Sequence, residues 1–210
     1  MKTIAIFGAN RGLGLAMVKH YIQQNYSVIA MVRNPEKATE LAELNVKIVQ
    51  CDAVNQADVQ YAVGCLPKDA IVISGMGSFQ AQKSVDYIGH RYLIDALEEQ
   101  EIQRFLMVTS LGCGDSWPML SDRAKAVFGA AVREKSLAES WLQTSQLAYT
   151  IVRPGGLKDG ESTGKAEIYQ NEEVHGLINR SDVAVITERL LNDDTSIGQI
   201  YASVDPTLNY

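Results

Sequence analysis

The sequence predicts an α/β fold, a doubly wound parallel sheet in one domain spanning residues 1–210, and three observations carry that expectation. Short apolar runs suited to strands recur at Ile4 to Phe7, Ser27 to Val32, Val46 to Val49, Ala70 to Ile73, Arg104 to Thr109 and Ala148 to Val152, each separated from the next by a helix-length segment. Such spacing requires parallel crossovers and therefore helices on both faces of the sheet. Most of these runs end in small or turn-forming residues, which leaves room for a ligand at the carboxyl edge where open α/β sheets bind one. Finally, 46% hydrophobic and 21% charged residues over 210 positions suit a folded chain with a substantial core, and are too apolar for a disordered one.

The first element organises the rest. Ile4 to Phe7 flows into Gly8, Gly12 and Gly14, and then into a helix running to Asn25 with Leu15, Val18, Tyr21 and Ile22 on one face. Gly8 permits the tight turn, Gly12 lets backbone approach a pyrophosphate, and Gly14 lets the helix lie close on the strand. Asn10, Arg11 and Leu13 complete this loop, whose helix N-terminus attracts phosphate. This is the opening of a Rossmann-type dinucleotide site. The second strand ends in Arg33, 19 residues beyond Gly14, where an acidic residue would bind an NAD ribose; an arginine favours a 2′-phosphate and hence NADP(H).

Asn34-Pro35 starts a new helix, with Pro35 in its first turn and Ala38, Leu41, Ala42 and Leu44 as its apolar positions. The third strand ends at Cys51-Asp52, followed by Ala53. Asp52 is placed either to meet an adenine amino group or to make a turn, and the local sequence does not separate the two. After a helix from about Ala57 to Cys65, the fourth strand stops at Ser74-Gly75-Met76, small enough to admit a cofactor ribose. A helix from about Val85 to Gln100 carries Leu93, Ile94 and Leu97 inward. The most apolar strand then ends in Thr109-Ser110, and a helix from about Ser121 to Ser145 follows, with a break expected near Gly129. The sixth strand terminates at Pro154-Gly155. Residues 157–180, polar and glycine-containing up to 176, read as a flap at the substrate rim. Ser181-Asp182-Val183 is expected to cap a helix to about Leu191, and Gln199 to Ser203 gives a last strand.

A net charge of −6 argues against direct binding to nucleic acid or an anionic membrane. Cys51, Cys65 and Cys113 are odd in number and widely spaced, which indicates neither a disulfide framework nor a metal site and suits the reducing cytoplasm. His20 and His90 fall within helices as expected surface residues, whereas His175 borders the rim. Trp117 either lids a flat ligand or packs. The expected partner is a small-molecule substrate, and the expected state a monomer or homodimer.

These strand-end residues, with Ile4-Ala5-Ile6-Phe7-Gly8-Ala9, Val32-Arg33-Asn34, Val108-Thr109-Ser110, Lys135 with Ala138-Glu139, Tyr149 to Gly155, and Arg180 to Ala184, resemble the atypical short-chain dehydrogenases/reductases. The similarity is to NmrA-like proteins and the biliverdin IXβ/flavin reductases, and it runs over nearly the whole chain. It implies that Lys135 hydrogen-bonds the nicotinamide ribose, and that Ser110 lies beside nicotinamide and substrate. Two departures matter. The glycine spacing is that of the main branch, and the main branch's proton-donating tyrosine, four residues before the lysine, is here Ala131. The resemblance supports an NADPH-dependent reductase, with an NmrA-like, non-catalytic dinucleotide sensor as the alternative. A sugar-nucleotide epimerase ranks last because it needs the tyrosine. Without that acid, the expected hydride acceptor is a flat conjugated molecule such as a flavin, quinone or bilin.

Overall fold

A computed structural model describes residues 2–78 and 84–209. In chain order the elements are β1 (Thr3–Phe7), α1 (Gly12–Gln23), β2 (Ser27–Val32), α2 (Thr39–Glu43), β3 (Lys47–Gln50), α3 (Gln56–Gly64), β4 (Ile71–Ser74), α4 (Ile88–Glu99), β5 (Arg104–Val108), α5 (Asp122–Gln143), β6 (Ala148–Pro154), β7 (Gly156–Lys158), β8 (Glu167–Tyr169), β9 (Leu177–Asn179), α6 (Arg180–Leu191) and β10 (Gln199–Val204). Short 3₁₀ turns occupy Pro35–Lys37, Gly114–Met119 and Asp194–Ser196.

The main sheet runs β3-β2-β1-β4-β5-β6-β10-β8, parallel throughout except for β8, which lies antiparallel against β10. The chain therefore winds outward from β1 to β3 and then returns to lay β4 on the other side of β1. That reversal opens the crevice in which such sheets bind ligands. The register puts Phe7 opposite Ser74 and Val108 opposite Val152, so the predicted strand ends share one edge.

Period-2 alternation divides each strand between two cores. Ile4, Ile6, Ala30, Ile73, Val108 and Val152 pack under α1 and α6. Ala5, Phe7, Met31, Val72, Phe105 and Ile151 face α3, α4 and α5. Helix α1 supplies Leu13, Met17, Val18 and Tyr21 at the i, i+4, i+5, i+8 spacing of a single buried stripe.

The structure departs from expectation in four places. Helix α2 is only five residues, preceded by a 3₁₀ turn, because Pro35 and the Ala38 backbone interrupt a continuous helix. Helix α5 passes Gly129 without a break. A Cβ there would come within 3.1 Å of the Trp117 ring, so this glycine makes room for an indole rather than ending a helix. Residues 157–176 contain β7 and β8, and β8 closes the main sheet. Helix α6 begins at Arg180 behind Asn179, which makes no side-chain cap. Asp182 lies inside its first turn and accepts from the backbone N–H groups of Thr163 and Gly164 at 3.1 Å each.

The tightest contact is at Gly14, where a Cβ would collide with the Gly8 carbonyl oxygen. Gly64, at the end of α3, has nothing within 4 Å of the same position. Gly14→Ala should therefore lower the urea midpoint by an amount worth about 2 kcal/mol or more. Gly64→Ala should raise it by about 0.4 to 1 kcal/mol, because only the unfolded chain loses freedom.

Candidate active site

The loops after β1 and β4 meet at the crevice. A Cβ on Gly8 would lie 3.2 Å from the Met76 backbone, and one on Gly75 would lie 2.9 Å from Met17 Cε. Gly8 and Gly12 hold positive φ values of 80° and 54°, which a side chain would strain. Leu13 is buried beneath the turn and Asn10 is half-buried at its rim. Arg11 and Arg33 are exposed, and among the described residues their guanidinium groups make no hydrogen bond or ion pair. An open backbone cradle at a helix N-terminus, with two unengaged guanidiniums on the loops after β1 and β2, fits the phosphates of a dinucleotide. Asp52 Oδ1 accepts from Val54 N at 3.3 Å, so at least part of its carboxylate makes a turn; Ala53 follows it half-buried.

Beneath the β4 loop lies a buried polar cluster. The fully buried Asp86, just before α4, sits with Oδ1 2.7 Å from Lys135 Nζ. Its Oδ2 accepts from Ser78 N at 3.1 Å and from Ser84 Oγ at 3.2 Å. Lys135 also donates to the Met76 carbonyl at 3.0 Å. An ammonium has three N–H groups. Only the Met76 contact has hydrogen-bond geometry, Asp86 Oδ1 pairing with the ammonium by charge alone, so among the described residues donor capacity is left for a ligand beside Gly77, whose absent Cβ would lie 3.1 Å from Nζ.

His90 corrects an expectation, since it is wholly buried rather than on the surface. Its Nδ1 lies 2.8 Å from the Asp86 carbonyl, which can only accept, and its Nε2 lies 2.9 Å from Ser74 Oγ. Burial, reinforced by the Lys135 charge, pushes its pKa down to about 4, so the ring is neutral with the proton on Nδ1. Ser74 must then donate to Nε2, while its oxygen accepts from Met76 N at 3.4 Å. The Ser74 hydroxyl is thus committed to shaping the loop.

A second buried network stands one turn further along α5. Glu139 is gripped by Arg153 through Nε at 3.0 Å and Nη2 at 2.6 Å, and it accepts from Thr109 Oγ1 at 2.6 Å. Arg153 reaches Asp115 at 2.6 Å through Nη1. Burial works against the Arg153 charge, but the carboxylates of Glu139 and Asp115 outweigh it, and the group is held still more firmly protonated. Asp115, bonded to Arg153, is held below the usual carboxylate range. The Thr109 side chain is therefore committed internally, and its amide binds the Val152 carbonyl at 2.8 Å. The half-buried Ser110 donates its hydroxyl to the Leu111 carbonyl at 3.0 Å, and its own carbonyl accepts from Cys113 N at 3.2 Å. Pro154 accepts from Leu111 N at 3.0 Å, and Gly155 N donates to the Ser203 carbonyl at 2.8 Å, which fixes both loops at the edge. Burial pushes the Cys113 thiol up to about 12, so it is no nucleophile at neutral pH.

Beside Ser110 opens a cavity of about 480 Å³, lined by Leu111, Leu120, Arg153, Tyr169, His175 and Ile200 among others. Its size lies within the range of small-molecule sites. Of the segment expected to form a rim, Tyr169 to Glu172, Val174 and His175 line this cavity, whereas 159–164 packs on the first turn of α6.

Residues 8–194 match the NAD(P)H-binding family. The chain belongs to that family. ChuY from Escherichia coli O157:H7, a solved structure described as an anaerobilin reductase, is 45% identical, with all of both chains covered and a TM-score of 0.92. YhfK of Bacillus subtilis, described as an uncharacterized sugar epimerase, is 30% identical over 86% of this chain and 84% of its own. A chloroplast protein of Arabidopsis thaliana is 30% identical over 93% of this chain and 74% of its own. The family's NAD(P)H-binding oxidoreductase fold agrees with the resemblance to atypical short-chain dehydrogenases/reductases.

Asp86 was not singled out from the sequence, and His90 was read there only as a surface residue. The available signal was their i, i+4 spacing at the start of a helix whose other inward positions are apolar. Asp86→Asn should strip the counter-charge from a buried ammonium and lower unfolding free energy by about 3 to 5 kcal/mol. The double variant Asp86→Leu with Lys135→Met should recover most of that loss in urea titrations, since the unpaired charge is gone.

Proposed function

We propose that the protein is an NADPH-dependent reductase whose hydride acceptor is a flat conjugated molecule of the bilin type. The observation that carries this reading is the Asp86–Lys135 pair, taken with Ala131 one turn earlier on α5. In a ketone reductase a lysine beside a tyrosine helps that tyrosine to lose its proton. Here the lysine's charge is balanced by a carboxylate and the tyrosine is missing. Reduction of a simple carbonyl leaves an alkoxide that needs a positioned acid, a contribution of about 10² to 10⁴ in rate. A conjugated tetrapyrrole spreads the added electron pair over its rings and takes its proton from water.

Bound NADPH supplies the hydride. Lys135 would hold a ribose hydroxyl, the loops ending in Met76 and Gly155 would border the nicotinamide, and Ser110 would orient its carboxamide or the acceptor edge. Gly8 to Gly14 cradle the pyrophosphate, and Arg33, assisted by Arg11, takes the 2′-phosphate. The cavity beyond Leu111 would receive the acceptor, with Leu111, Leu120 and Ile200 to meet a planar ring system and Arg153, Gln170 and His175 among the polar groups for its substituents. The choice of a bilin among flat acceptors is supported by the full-length 45% identity to an anaerobilin reductase.

NADPH oxidation should run at least about a hundredfold faster with a linear tetrapyrrole than with simple aldehydes or ketones. Ser110→Ala should lower turnover only modestly. Faster turnover of aldehydes would overturn the acceptor assignment, and binding without turnover on bilins, flavins, quinones or aldehydes would make the protein a sensor. Separately, Arg33→Ala should weaken NADPH binding roughly tenfold or more and spare NADH, as expected for a charge-assisted bond worth about 1.5 to 3 kcal/mol. Calorimetric titration with both dinucleotides checks this, and equal loss for both would remove Arg33 from the 2′-phosphate.

A further inference from the structure

Helix α6 brings to the glycine loop a cation that the dinucleotide reading did not include. The parallel pairing of β7 with β9 sets Lys158 opposite Asn179, so the next residues on each strand, Asp159 and Arg180, emerge side by side. They form an ion pair of 2.7 Å between Arg180 Nη1 and Asp159 Oδ1. Arg180 Nε lies 3.4 Å, and its Cδ 3.9 Å, from the point where Gly12 would carry a Cβ. Gly12 is the glycine whose bare backbone lets a pyrophosphate approach. The space left by its missing side chain is therefore bordered by a guanidinium.

That guanidinium is weakly committed. Its partner carboxylate is 90% exposed, and pairs in water contribute little. A diphosphate offers two charged oxygens in the fork geometry that arginine matches.

Arg180 is also the first of a series of ties between α6 and the segment before it. Ser181 Oγ donates to the Gly160 carbonyl at 2.7 Å, and Asn179 Nδ2 to the Glu161 carbonyl at 2.9 Å. The buried Asp182 accepts from Ser162 Oγ at 2.5 Å and from the amides of Thr163 and Gly164. Residues 159–164 thus rest on the same helical turn that carries Arg180.

We propose that Arg180 binds the dinucleotide pyrophosphate across the glycine loop, exchanging Asp159 for phosphate, and so couples cofactor occupancy to the 159–164 segment. This goes beyond the acceptor assignment and does not depend on it. Asp159 holds the arginine in place and competes with the ligand, while the Ser181 and Asp182 ties carry the change into the segment.

The test is calorimetric binding of NADPH, NADH, ADP-ribose and 2′-AMP, with amide hydrogen exchange on the same samples. Arg180→Ala should weaken the three pyrophosphate-containing ligands alike, by roughly tenfold, and leave 2′-AMP unchanged. Asp159→Asn should tighten the same three ligands a few-fold. ADP-ribose should slow exchange at 160–164 in the unaltered protein and fail to do so in Arg180→Ala. Unchanged ADP-ribose affinity in Arg180→Ala, an equal loss for 2′-AMP, or weakening by Asp159→Asn would each overturn the proposal. None of these readouts involves an acceptor, so their failure is separate from failure of the reductase reading.

Discussion

Helix α1 lies so close on β1 that position 14 has no room for a Cβ above the Gly8 carbonyl. That constraint governs the site. It brings the helix N-terminus down to the sheet edge, where its amides can meet phosphate, and brings the turn into contact with the loop after β4, at Gly75 and Met76. The β4 loop is in turn held from below by Ser74, His90 and Lys135. A looser helix would leave the cradle without a wall and the lysine without its carbonyl.

Helix α5 presents Ala131, Lys135 and Glu139 at successive turns of one face, with only the last two charged. Each charged residue meets an opposite charge in a dry setting, Asp86 for Lys135 and Arg153 for Glu139. Pairs of this kind are poor sources of net stability, because desolvation offsets most of their attraction. What they supply is orientation: a buried lysine held by a carboxylate and a carbonyl has little freedom left, and an arginine held in a fork cannot drift across the cavity beside Ser110. The cost of removing one partner falls on the other.

Much of this was legible in the chain. The strand order around β1 and the glycine loop follow from short-range patterns, short apolar runs and three glycines, whereas Lys135 was singled out only by the family resemblance. What was not legible depended on contacts distant in sequence. Ser74 and Thr109 looked available to a cofactor, yet their hydroxyls are taken by His90 and Glu139, residues 16 and 30 positions away. His90 looked solvated because histidine in a helix usually is, and only the neighbouring β4 loop shows why it is buried. The segment after β6 looked irregular because its strands have three residues each, too few for any periodicity to register.

Strand β8 bears on colloidal behaviour. A parallel sheet of this width ends in rows of unpaired amides and carbonyls that can template association with another chain. Here one border is a three-residue strand that begins with Glu167 and runs against the direction of the others. The opposite border, β3, has four residues and exposes Lys47 and Gln50 at its ends. Both borders are short and polar, which denies an incoming strand a long apolar register and helps keep a largely apolar sheet from stacking edge to edge in a crowded solution.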